Sequence, residues 1–177
     1  YMGNEYRIER LEAEMLLAGI MLDTKSFSIK TGVRTFEAAM TLRRYGADTI
    51  EVRRLFSGSM ETYKGKTRIV SSAEIYQKCA IAATEEVFEE LRIAAPQAAD
   101  ELLSINDIEA SFVLYKTLTG VSLSARSMGL VNVQIIMEAL GGGGSLTMAG
   151  AQIDGITVAE GKRRLMEELD NYFSQLA

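Results

Sequence analysis

Four consecutive glycines, Gly141 to Gly144, separate an apolar run ending in Ala139-Leu140 from the small-residue segment Ser145-Leu146-Thr147, and no other stretch narrows the fold as far. Glycine lets backbone reach φ > 0 or lie against another group with no Cβ between, but ordering four in a row costs chain entropy. Three uses compete for such a run. Its free N–H groups can converge on an anion, it can cap a helix, or it can serve as a flexible linker. The pattern is neither G-x-G-x-x-G nor G-x-x-x-x-G-K-[ST], so the loop mechanics of those signatures do not carry over.

Composition removes much of the chemistry. The 177 residues contain no histidine, which excludes Ser-His-Asp and Cys-His catalysis and every His-based metal site. Any reaction here must use carboxylates, Arg, Lys, hydroxyls or backbone. A single cysteine, Cys79, excludes an internal disulfide and fits a reducing, cytoplasmic setting. The net charge of −5 argues against a stable double-stranded nucleic-acid partner. Hydrophobic content of 47% suffices for a sizeable core, while the apolar run from Met15 to Leu22 is too short to span a bilayer. Tyr1 is not an initiator and no signal-peptide pattern follows it, so the chain reads as a fragment without a targeting signal.

Periodicity predicts a buried helix over 8–22, with Ile8, Leu11, Met15, Leu16, Ala18, Gly19 and Leu22 on its apolar face. A polar loop over 24–31 leads to a helix over 35–45, with Phe36, Ala39, Met40 and Leu42 inward and Gly46 just past its end. Asp48 caps a short helix through Phe56, built on Ile50, Val52, Leu55 and Phe56. Ser57-Gly58-Ser59 is the strongest linker signal. Beyond it the pattern predicts a helix over 60–72, a strand over 75–84, a helix over 95–105 and a hairpin from 110 to 126. A helix capped by Asn132, a strand over 149–153 and a final amphipathic helix over 157–176 complete the chain. The fold class is α/β, an α+β mixed sheet flanked by helices.

Two places attract chemistry. On the strand from Val121 to Arg126, Ser122, Ser124 and Arg126 share one face, opposite Val121, Leu123 and Ala125. An Arg fork binds phosphate bidentately and glycine N–H groups can take further oxygens, so Arg126 and the glycines could meet at one sheet edge. A surface salt bridge is the other use for Arg126. Asp23, ending a greasy helix where the macrodipole disfavours negative charge, is either a solvated helix end or a metal ligand at the core edge.

The blocks Leu16-Leu17-Ala18-Gly19-Ile20-Met21-Leu22-Asp23-Thr24, Arg34-Thr35-Phe36-Glu37-Ala38-Ala39, Tyr45-Gly46-Ala47-Asp48-Thr49, Ser124-Ala125-Arg126-Ser127 and Asn132 through Gly144 together resemble the DHH phosphoesterases of the GdpP type. Those are membrane-anchored bacterial phosphodiesterases that hydrolyse cyclic-di-AMP with two manganese ions. The resemblance implies that residues 1–56 are the C-terminal part of a DHH catalytic domain, 57–65 a linker and 66–177 a DHH-associated substrate-binding domain. It makes Asp23 one metal ligand, with the remaining ligands upstream of Tyr1, and makes Ser124, Arg126, Gly142, Gly143, Gly144 and Ser145 the substrate-binding residues. The substrate would be cyclic-di-AMP or a linear adenine dinucleotide, the parent anchored in the bacterial membrane and this part cytoplasmic. A homodimer would cover the helices left without their sheet.

Two departures qualify the resemblance. The family continues its glycines with a His thought to contact phosphate, and often with Leu-Thr-Asn; this chain has Ser145 and, three residues on, Met148. Ser145 can donate a hydrogen bond but carries no charge. The expected function is the substrate-binding portion of a metal-dependent phosphodiesterase, inactive by itself. The rival readings are a non-catalytic nucleotide-binding or regulatory module and a DHH phosphoesterase acting on short oligonucleotides.

Overall fold

The computed structural model describes residues 8–175; Tyr1 and Leu176, on which two of the expectations fell, lie outside them. The chain forms two compact units, Tyr1–Gly58 and Ser59–Ala177.

The first unit is helical, with α1 (Arg10–Asp23), α2 (Val33–Arg44) and α3 (Thr49–Leu55). Its core is small: Ala13, Leu17, Ala18, Leu42, Ala47 and Val52. Glu14 ties the helices together, accepting from Arg10 Nε at 2.8 Å and from the Asp48 N–H at 3.2 Å, and the Arg10 hydrogen bond holds its carboxyl below the usual range. Asp48 caps α3 as expected, accepting from the Ile50 N–H at 2.8 Å. The expected burial fails, however. Leu11, Met15, Leu16, Leu22, Phe36, Met40, Ile50, Leu55 and Phe56 are all exposed, and α1 is not a mostly buried helix. Three short helices can hide only the stripes that face one another.

The second unit begins with α4 (Met60–Ser71), capped by Ser59, whose Oγ accepts from the Thr62 N–H at 3.0 Å. Within the segment 57–65, only Ser57 to Ser59 lie between helices. A hairpin follows in place of the single expected strand: β1 (Glu74–Tyr76) and β2 (Cys79–Thr84) turn at Gln77 and Lys78, with φ of 46° and 62°. Left-handed φ at both positions is the geometry of a two-residue hairpin turn, and without glycine the sequence does not advertise it. Next come α5 (Leu91–Leu102), β3 (Ala110–Lys116), β4 (Gly120–Ser127), α6 (Val133–Ala139), β5 (Gly143–Ser145), β6 (Met148–Asp154) and α7 (Val158–Ser174).

The six strands form one mixed sheet in the order β1-β2-β3-β4-β6-β5, with β2 and β3 parallel and the other pairs antiparallel. On one face Ile81, Phe112, Leu114, Val121, Leu123 and Ala125 pack with residues of α6 and α7. On the other, α5 presents Ala94, Ala95, Ala98 and Ala99, a stripe small enough to lie close on β3 and β4, and Ser111 Oγ donates to Ala99 O at 2.6 Å beneath it. Since α5 packs on β3 and β4, the same face continues past it over β6 and β5. There Ser145, Met148 and Gln152 are exposed.

Candidate functional site

Strand register brings the candidate residues together. Arg126 on β4 pairs with Met148 on β6, and Met148 pairs with Ser145 on β5. Directly opposed residues point to the same face, so Arg126, Met148 and Ser145 form one row, with the outer two Cα atoms about 10 Å apart at ordinary strand spacing. Ser124, Gly150 and Gly143 form the next row and Ser122 and Gln152 the one after. The result is a shelf beside α5, with hydroxyls, an Arg and an amide rising from small residues.

Arg126 is its anchor and is buried, at 8% exposure. Nη1 donates to Ala125 O at 2.9 Å. Nε lies 3.2 Å from Asp100 Oδ1 on α5, yet the angle makes no directed hydrogen bond, and Nε is the buried side-chain donor left without one among the described residues. A buried guanidinium with unused donor capacity is poised to accept an anion. The alternative use as a surface salt bridge is also half realised, because Asp100 supplies a charge at ion-pair distance. The Ser124 hydroxyl has no side-chain hydrogen bond among the described residues, while Ser145 Oγ, on the exposed edge, donates to Met148 O at 3.3 Å.

The glycine run divides into two devices rather than one cradle. Gly141, at φ 82°, follows α6, and its N–H donates to Glu138 O at 3.0 Å while the Gly142 N–H donates to Met137 O at 2.8 Å. This is a Schellman cap. The Gly142 amide is therefore spent on a helix carbonyl and is not free to hold a phosphate, because the last turn of α6 needs those donors. Gly143 and Gly144 are then residues of β5, an edge strand. A Cβ at Gly142 would sit 2.1 Å from Gly150 O and one at Gly144 2.4 Å from Met148 O, whereas Gly143 has open space around it. Alternate N–H groups of an edge strand stay unpaired and can still meet a ligand.

Asp23 is the last residue of α1 and is exposed. It lies in the other unit, and among the described residues no group of three or more His, Cys, Asp or Glu could hold a metal ion. The described residues thus do not fit a two-manganese site. No helix among the described residues is long and apolar enough to cross a membrane.

Asp100 and Met148 stand beside Arg126, by ion-pair distance and by strand register, with no sequence signal that marks either for binding. Asp100 gave no signal, since an acidic residue on an amphipathic helix reads as a solvated face.

The DHHA1 domain profile matches residues 77–175. The chain is 46% identical over 177 residues to the cyclic-di-AMP phosphodiesterase GdpP of Bacillus subtilis and 42% identical over 177 residues to the cyclic-di-AMP phosphodiesterase PdeA of Listeria monocytogenes. In each case 98% of this chain is covered, and it spans 27% of the relative's length. Its fold is that of an exopolyphosphatase-related protein from Bacteroides fragilis, with a TM-score of 0.84 at 21% identity over 96% of this chain and 52% of that one.

Proposed function

The chain belongs to the DHHA1 domain family, and from that membership we propose that it is the substrate-binding portion of a cyclic-di-AMP phosphodiesterase. In this reading the unit Ser59–Ala177 holds the dinucleotide, and residues 1–56 close the C-terminal end of a DHH catalytic domain whose other residues, and whose membrane anchor, belong to the longer protein. Identity of 42–46% to such enzymes over nearly the whole chain supports it. The observation that carries it is the row Arg126-Met148-Ser145, which sets an under-bonded, buried guanidinium and an exposed hydroxyl on one open face.

Arg126 binds a phosphate of the dinucleotide, offsetting its charge where a low local dielectric makes the pairing strong. Ser124 donates to a further oxygen, Ser145 does so by turning its one proton away from Met148 O, and the unpaired edge of β5 at Gly143 and Gly144 lets the sugar-phosphate backbone approach without a Cβ in the way. Hydrolysis would fall to the part of the longer protein that this chain does not include. The described residues offer no set of donors for a metal pair, and in this reading the chain's own task is to hold and orient. The test is hydrolysis of cyclic-di-AMP by the purified 177-residue chain with manganese, expected to equal a metal-only blank, beside calorimetric binding of a linear adenine dinucleotide, expected to be measurable. Turnover above the blank overturns the division of labour, and absence of binding overturns the substrate role.

A further inference from the structure

The shelf does not end at Ser122. One row beyond Ser124, Tyr115, Ser122 and Gln152 lie in register across β3, β4 and β6, and all three line a cavity of about 550 Å³. Its walls include Phe88 and Leu91, at the start of α5, and Leu118 of the β3–β4 turn. Pockets of this size with apolar walls and a few polar groups are typical of small-molecule sites.

The polar groups are unspent. Most of Tyr115 is buried, at 8% exposure, while its hydroxyl is accessible at the cavity and makes no hydrogen bond among the described residues, and neither does that of Ser122. Both hydroxyls are open to the solvent that fills the cavity, and each keeps its donor and acceptor capacity for a group that enters. Gln152 uses its amide nitrogen toward Thr119 Oγ1 and Asp154 Oδ1, at 3.4 and 3.2 Å, which orients the side chain and leaves its oxygen as an acceptor. Phe88 is held with one side against Gly65, where a Cβ would come within 2.3 Å of the ring. A fixed aromatic ring, a hydroxyl pair and an amide acceptor are the components that grip a flat heterocycle by its faces and its edge.

Resting on the phosphate role of Arg126, we propose that this cavity is the base subsite of the same nucleotide, taking the adenine ring while Arg126 takes the phosphate. Four residues of strand, about 13 Å, separate Ser122 from Arg126 on the same face of β4, and the sugar would cross the small residues of β6 beside them, where Gly150 pairs with Ser124. The amide oxygen of Gln152 accepts from the exocyclic amino group, and the Tyr115 and Ser122 hydroxyls meet ring nitrogens.

Calorimetry on the 177-residue chain separates the two subsites with three probes: AMP, ribose 5-phosphate and a linear adenine dinucleotide. AMP should bind more tightly than ribose 5-phosphate. Tyr115→Phe and Gln152→Leu should each weaken AMP and the dinucleotide by about fivefold to tenfold, the worth of one hydrogen bond, with ribose 5-phosphate unchanged. Arg126→Ala should weaken all three. Tyr115→Phe is near-isosteric and Gln152 is exposed, so thermal melts matching the parent chain are expected for both. If both variants bind AMP as the parent does while Arg126→Ala weakens it, the base subsite is wrong and the phosphate role stands. If the parent chain binds AMP no better than ribose 5-phosphate, the base subsite falls likewise. If Arg126→Ala leaves all three affinities unchanged, the phosphate role falls. If none of the three ligands binds, both fall.

Discussion

Arg126 Nε and Asp100 Oδ1 stand 3.2 Å apart without a directed hydrogen bond. Asp100 is 40% exposed while Arg126 is held in the sheet, so the carboxylate is the partner that can give way. An arriving phosphate competes with it for the guanidinium. Asp100→Asn should therefore strengthen dinucleotide binding by about 0.5–1 kcal/mol, the range of a partly exposed pair. Arg126→Ala should weaken it by about 1.5–3 kcal/mol. Calorimetry at two salt concentrations checks both, and an Asp100→Asn that binds less tightly would mean that the carboxylate orients the Arg rather than restraining it.

The glycine run should tolerate substitution unevenly. Gly143→Ala meets open space and should shift stability by less than about 0.5 kcal/mol, whereas Gly142→Ala and Gly144→Ala press on backbone atoms of β6 and should cost about 1–3 kcal/mol each. Urea denaturation measures this. Equal costs at all three positions would contradict the cap-and-edge-strand arrangement.

Cys79 lies fully buried in β2, and burial pushes its thiol up to about 12. Only the thiolate reacts readily with disulfide reagents. The native chain should thus show almost no thiol reaction at pH 8, and one equivalent should appear in denaturant. Rapid labelling of the folded protein would show that β2 opens locally.

Acid stability should depend on Glu160. The hydrogen bonds of Arg163 and Arg164 hold its carboxyl down to about 2, from an ordinary value of 4.5. A depressed folded pKa contributes stability that is present above the unfolded value and is lost as pH falls through the folded one. Between pH 4.5 and 2 the melting temperature of the parent chain should drop more steeply than that of Glu160→Gln. Parallel curves would mean that solvent screens the pair completely.

Local rules made much of this molecule legible. Asp48 and Asn132 each cap a helix with a side-chain oxygen, as expected, and alternation along β4 separated Ser122, Ser124 and Arg126 from Val121, Leu123 and Ala125. Such features depend on neighbours one to four residues away, so they are written in the chain itself. The Gln77-Lys78 turn escaped because its left-handed geometry is imposed by the pairing of β1 with β2 on residues that do not prefer it. Burial in the first unit was misjudged because an apolar stripe records only what a helix can bury, and three helices offer too little facing surface. The glycine run permitted a cradle, a cap or a linker. Tertiary structure decided among them, since α6 needs donors for its last carbonyls and β6 needs a partner along its open edge. The meeting of Arg126, Asp100, Met148 and Ser145 is likewise a tertiary fact, set by strand order and register and by where α5 stops covering the sheet, relations between residues far apart in sequence that no local pattern encodes.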